Sequence, residues 1–192
     1  MNTKTLALTI VFAALTISLN PTFTRIAFAA PFATFLFYQI WEIPIVAALI
    51  LVGFKAATSI SIINTAVLLA VFPGASPTGP FYNLAAALSM MVGIYIAHRL
   101  VTRVKTESTL KHGTLVIASA TALGILFRVG VMTLVNYSLL RYPQPIGYGY
   151  DELGILASLP LIGFFNATLA LYTIPIAYLI ANVIKANLKL QN

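Results

Sequence analysis

The sequence consists of long apolar runs that carry almost no charge, and this pattern limits the fold more than any other feature. Glu42 is the only acidic residue before Glu107, and it opens an apolar run that ends at Gly53. Only 8% of the residues are charged, whereas soluble domains have about a quarter. A soluble domain cannot cover its surface with so few polar side chains, so we expect an integral membrane protein.

The apolar runs predict an all-α fold, a compact bundle of six transmembrane helices that forms one domain over residues 1–192. Most of the runs are close to the length of about 20 residues that a helix needs to cross a bilayer. The expected spans are residues 5–20, 37–53, 56–72, 81–101, 113–137 and 154–184.

Three further predictions concern the segment after the first span, the first apolar run itself and the prolines of the last span. Residues 21–36 are expected to form an interfacial or re-entrant connection on the outer side. The first apolar run is also compatible with a signal peptide that has Ala27-Phe28-Ala29 as its cleavage site. The first span of a multi-pass protein has a similar sequence, and we expect the run to be that span. The last span is expected to be kinked or broken near Pro160 and Pro175.

The basic residues predict the orientation in the membrane. The segment from Arg99 to His112 is the longest polar stretch and contains four Lys or Arg residues against one acid. The positive-inside rule places it in the cytoplasm, together with both termini of a multi-pass protein of the cell membrane. The net charge of +7 is dispersed along the chain. We therefore expect the protein to contact membrane lipid and not nucleic acid.

The residues needed for several kinds of chemistry are missing from the sequence. There is no Cys, which excludes disulfides, thiolate nucleophiles and Cys metal sites. Two His and four acids make a metal centre improbable. There is no H-E-x-x-H motif and no P-loop. We therefore expect no enzyme activity, no metal and no cofactor.

A small set of polar side chains falls inside the expected spans, most of them in the outer half. Ionisable groups at membrane depth are costly and mark a ligand, an ion path or a structural ion pair. Amides at similar depths, with aromatic residues nearby, predict a cavity open to the outside for a neutral heteroaromatic solute. The candidate binding residues are Trp41, Glu42, Asn64, Asn83, Arg128, Asn136, Tyr137 and Asn166.

Each of these residues also has a purely structural interpretation. An Asn can join neighbouring helices, and a Trp can belong to an interfacial belt. Arg128 can pair with Glu42, reach the outer interface, or bind an anionic group of the solute. Two other classes of protein stay open: a small intramembrane enzyme that uses Glu42 with Arg128, and a structural subunit without a ligand.

Five short motifs occur in order along residues 5–185. They are E-I-P at 42–44, I-x-N-T at 62–65, N-L-A at 83–85, V-M-T-L-V-N-Y at 131–137 and F-N at 165–166. Together they resemble the S components, the substrate-binding membrane subunits of energy-coupling factor (ECF) vitamin importers, and most closely the riboflavin-specific branch.

The resemblance implies a vitamin bound as the transported substrate. Asn136 and Asn166 would contact a flavin ring, Glu42 would border the site near the outer loops, and the loop at 73–80 would help to close it. At two positions where the family has lysines this chain has Ile63 and Leu169, so another vitamin or a modified nucleobase stays open.

The resemblance also implies protein partners, namely a transmembrane coupling subunit and two ATPase subunits. The family docks its coupling subunit on an A-x-x-x-A face of the first span. This chain has two looser pairs there, which are the expected docking residues: Thr9 with Ala13 and Ala14 with Ser18.

Overall fold

The computed structural model describes residues 3–24, 26–71, 78–101 and 109–188. Arg25 and most of the loops at 73–80 and 99–112 therefore lie outside the described residues. The elements are α1 (Thr3–Ser18), α2 (Pro21–Thr24), β1 (Phe28–Ala30), β2 (Ala33–Tyr38), α3 (Glu42–Leu51), α4 (Phe54–Val71), α5 (Thr78–Val101), α6 (Thr109–Leu139) and α7 (Glu152–Leu188).

The length and composition of the helices make this a multi-pass membrane protein. Four helices, α4 to α7, are long and apolar enough to cross a bilayer. The helices α1 and α3 are apolar but shorter, with 16 and 10 residues. The last expected span is one continuous helix, α7, that contains both Pro160 and Pro175 and is not broken at either.

The second expected span begins later than predicted, because part of it is a strand. Phe37 and Tyr38 end β2, and the helix α3 starts only at Glu42. The strands β1 and β2 pair antiparallel, with Phe28 opposite Tyr38 and a register shift between Ala29 and Ala30. Over the described residues the fold is thus helical with one β-hairpin, and the connection expected at 21–36 is α2 followed by most of that hairpin.

The hairpin is attached to α7 by side chains at its end. The Tyr38 hydroxyl lies 2.7 Å from Thr168 Oγ1, and the Tyr38 ring packs against Phe165 with 5.0 Å between centroids. The Tyr172 hydroxyl donates to the main-chain oxygen of Gln39 at 2.6 Å. These contacts fix the segment that leads into α3.

The short helix α3 lies in the middle of the bundle. Its first eight residues are all buried, and it contacts α1, α4, α5 and α7. After Glu42 the helix is apolar on every side, which suits it to complete enclosure. By contrast, α6 and α7 expose leucines such as Leu126, Leu134 and Leu179. These exposed apolar side chains are suited to contact with lipid.

Two glycines allow the helices to pack as they do. Gly53 has a φ of +114° and turns the chain between α3 and α4. A Cβ at Gly93 would lie 2.3 Å from the main-chain oxygen of Leu123, because α5 and α6 approach closely at that level. Only glycine avoids this overlap.

Candidate functional site

A cavity of about 640 Å³ lies between the hairpin, the halves of α5, α6 and α7 nearest the hairpin, and the loop before α7. Each of the three helices contributes residues spaced three or four apart, which places them on one face. The helical lining is Gly79, Tyr82, Asn83 and Ala86 from α5, Arg128, Met132 and Asn136 from α6, and Ile162, Phe165, Asn166 and Leu169 from α7. The volume falls within the range of small-molecule sites, about 300–1,000 Å³.

Arg128 forms the floor of this cavity. It is the deepest lining residue of α6, 11 residues before the end of that helix at Leu139, which is about 16 Å along the axis. Its Nη2 donates to Glu42 Oε1 at 3.0 Å, and its Nη1 donates to Glu42 Oε2. Its Nε donates to Asn166 Oδ1 at 2.8 Å. A bidentate pair with a further hydrogen bond is the geometry in which two buried charges compensate each other best.

The ion pair lies near mid-depth of the bundle and not at either of its ends. The Nη1 atom of Arg128 lies 3.7 Å from Met90 Sδ. Met90 is 12 residues from the start of α5 and 11 from its end, so it is about 17 Å from either end. Glu42, which was expected to border the site near the outer loops, therefore lies at mid-depth, because α3 starts deep in the bundle after the hairpin.

Several amide groups of the lining have hydrogen-bonding capacity left over. Asn136 Nδ2 donates to the main-chain oxygen of Met132 at 2.7 Å, which leaves its Oδ1 unused. The side-chain amides of Asn83 and Gln39 also line the cavity. Among the residues that the structure describes, Asn136 Oδ1 and the side-chain amides of Asn83 and Gln39 have no protein partner. Polar atoms in an apolar cavity are suited to fix the orientation of a ligand.

Aromatic side chains of the hairpin and of the loop before α7 line the cavity. Phe35 and Phe37 come from β2, and Tyr148 and Tyr150 come from the loop before α7. The Tyr148 ring meets Tyr82 edge to face, with 6.4 Å between centroids. Burial, with a smaller contribution from Tyr150, raises the pKa of Tyr148 above its ordinary value. Its hydroxyl therefore stays protonated, and able to donate, at neutral pH.

Four of the eight predicted binding residues line the cavity: Asn83, Arg128, Asn136 and Asn166. The other four do not. Glu42 is fully buried behind Arg128, and Trp41 is 1% exposed in the core. Asn64 is buried in α4, and its Oδ1 has no partner within the described chain. Tyr137 is exposed and donates to Glu152 Oε1 at 3.2 Å.

The positions that depart from the riboflavin-branch pattern differ in their surroundings. Leu169 is fully buried and lines the cavity. Ile63 is 43% exposed and is not part of the lining. Only Leu169, where the family has a lysine, therefore bears on the contacts of a ligand in this cavity.

The expected docking residues divide between two faces of α1. Thr9 and Ala13 are buried against the bundle, whereas Ala14 and Ser18 are exposed. The first pair is thus occupied by internal packing, and only the second is available on the surface.

The sequence reasoning missed the hairpin aromatics, Gln39, and the loop residues Tyr148 and Tyr150. The apolar lining of α7 had a usable signal, because Ile162, Phe165 and Leu169 follow one another at three and four residues, the spacing of one helix face. The hairpin gave no such signal, because it was not recognised as strand.

Comparison of the chain with protein-family models, with curated proteins and with solved structures gives no match. The functional conclusion therefore rests on the cavity and its residues.

Proposed function

We propose that the protein is the substrate-binding S component of an ECF-type importer of the cell membrane, and that it takes up riboflavin or a related heteroaromatic vitamin. In this proposal α1 and α3 complete a bundle of six spans with both termini in the cytoplasm. The single observation that carries the proposal is the cavity of about 640 Å³, which combines aromatic walls with unused amide groups.

The lining suits a planar ring system with polar edges. Aromatic faces such as Phe37 and Tyr148 cover a ring at low entropic cost. Asn136 Oδ1 accepts a ring N–H, and the Asn83 amide both donates and accepts. Leu169 gives one wall an apolar surface. The ligand therefore offers hydrogen-bonding atoms toward α5 and α6 and an apolar part toward α7.

Transport would need partners that supply energy. The sequence contains no P-loop, so ATP hydrolysis would come from two separate ATPase subunits acting through a transmembrane coupling subunit. The exposed pair Ala14 and Ser18 of α1 offers small side chains at a spacing that permits close helix approach. That pair is the surface through which we expect the coupling subunit to contact α1.

The direct test is ligand binding to the detergent-purified protein. Riboflavin fluorescence is titrated with protein, other vitamins compete, and mass spectrometry identifies any ligand that co-purifies. We expect saturable quenching and recovery of an unchanged ligand. If no vitamin binds and none co-purifies, the proposal is wrong; if the ligand is recovered chemically altered, the protein is an enzyme.

Asn136→Ala tests whether this cavity is the site. It removes the unused Oδ1, and we expect affinity to fall about five- to thirtyfold, which corresponds to about 1–2 kcal/mol. Asn187→Ala is the matched control, because Asn187 Nδ2 makes the same kind of bond, to the Val183 oxygen, on an exposed part of α7. Equal affinities of the two variants would place the site elsewhere.

A further inference from the structure

We propose that Glu42, which does not line the cavity, determines the charge of the ligand that the cavity accepts. By neutralising Arg128 it makes the floor select an uncharged ligand over an anionic analogue with the same ring. The inference rests on the proposed function, since it specifies the class of ligand for that site. It assigns Glu42 an indirect role, through Arg128, and no contact with the ligand.

The charge distribution at the floor carries the inference. Arg128 is the only charged residue in the described lining of the cavity. Both carboxylate oxygens of Glu42 are engaged by its guanidinium. Glu42 is completely buried and Arg128 is 2% exposed, so solvent does not screen either charge. An anionic ligand would lose its hydration and find no uncompensated cation in return.

The Arg128 guanidinium still presents N–H dipoles at the floor of the cavity, although Glu42 balances its positive charge. Of its five N–H groups, three point to Asn166 and Glu42 and a fourth, on Nη1, points to Met90 Sδ, which leaves one N–H of Nη2 without a partner among the described residues. An uncharged acceptor such as a carbonyl requires only a donor dipole and not a full positive charge. We therefore expect wild-type protein to prefer the uncharged member of a matched pair by about tenfold or more.

Glu42→Gln is the informative variant. Glutamine keeps the shape and one oxygen acceptor for Arg128 but removes the negative charge, which leaves one positive charge at the floor. We expect its relative affinity for the anionic member of a pair to rise about tenfold or more. Glu152→Gln is the matched control, because Glu152 pairs with Arg141 at 3.3 Å on the surface, outside the cavity. It should leave the preference unchanged.

The measurement is equilibrium binding to purified protein with ligand pairs that share a ring, namely riboflavin with its 5′-phosphate and nicotinamide with nicotinate. If either pair binds wild-type protein without a preference for the uncharged member, the inference fails and the proposed function stands. If Glu42→Gln binds but shows the wild-type preference, the inference again fails. If no member of either pair binds any variant, the inference fails, and the vitamin panel and the co-purified ligand decide the proposed function.

If Glu42→Gln does not fold, a second variant tests the inference. The double substitution Glu42→Gln/Arg128→Gln also has no net charge at the floor, and it leaves no buried charge unpaired. We expect it to fold and to keep the preference for the uncharged ligand. Loss of that preference in a folded double variant would show that the hydrogen bonds of the pair, and not its charge balance, select the ligand.

Discussion

The buried ion pair gives the sharpest test of the architecture, because it joins three helices near mid-depth. Arg128→Met removes the guanidinium that bonds Glu42 of α3 and Asn166 of α7. It leaves a fully buried carboxylate without a partner. Breaking a buried pair from one side costs about 3–5 kcal/mol, and we expect a loss of stability of that size.

The double substitution Glu42→Leu/Arg128→Met separates two free energies of unfolding: the cost of leaving one charge unpaired, and the net contribution of the ion pair to stability. Replacing both partners by apolar residues of similar volume is often neutral or stabilising. We therefore expect Glu42→Leu/Arg128→Met to be more stable than either single variant. The coupling energy of the cycle should be about 3 kcal/mol or more. Additive single effects would refute the reasoning, because they would mean that the two charges do not compensate each other.

The assay is reversible unfolding of the detergent-solubilised protein by SDS, followed by loss of far-ultraviolet circular dichroism. Arg141→Met is the matched control. Arg141 and Glu152 form a pair at 3.3 Å whose side chains are 41% and 52% exposed. Exposed pairs contribute about 0–1 kcal/mol, so this variant should change stability by no more than that amount.

The remaining predictions concern glycines. Gly93→Ala should destabilise the protein by about 1–3 kcal/mol in the same unfolding assay, because its Cβ would overlap the Leu123 oxygen at 2.3 Å. Gly130→Ala, where a Cβ meets open space, should be neutral or stabilising by up to about 1 kcal/mol; equal losses would contradict the close approach of α5 and α6. Gly79→Trp should abolish vitamin binding in the quenching assay while the unfolding midpoint stays the same, because Gly79 lines the cavity and its Cβ has free space; full binding by this variant would place the ligand elsewhere.

Hydropathy predicted the membrane class and most of the span positions, but it did not identify the β-hairpin. The structure has α5 at Thr78–Val101, where residues 81–101 were expected, and α4 at Phe54–Val71, where 56–72 were expected. Residues 33–38 are equally apolar but form a strand. Their sequence, A-T-F-L-F-Y, is rich in aromatic and β-branched residues. A short apolar run does not distinguish strand from helix, so period and length alone could not identify the hairpin.

The sequence predicted which polar side chains could belong to the candidate site. It did not predict the direction in which each side chain points. Asn136 and Tyr137 are neighbours on α6, and adjacent helical residues point about 100° apart. Only one of the two faces the cavity, and the sequence does not indicate which. Asn64 was expected with the other amides because of its depth, but depth along a helix leaves the facing direction undetermined. The pairing of Glu42 with Arg128 was one of several alternatives, and the structure selects it.

The short helix, the hairpin and the ion pair depend on one another. The ten residues of α3 extend about 15 Å, half of the roughly 30 Å that a spanning helix crosses. The hairpin takes the place of the other half, where its two strands pair with each other. Glu42 is thereby the first residue of a helix that begins deep in the bundle, where a negative charge is favoured by the helix dipole but needs a cation. Arg128 supplies that cation, and the space that a full-length helix would fill is available for the cavity.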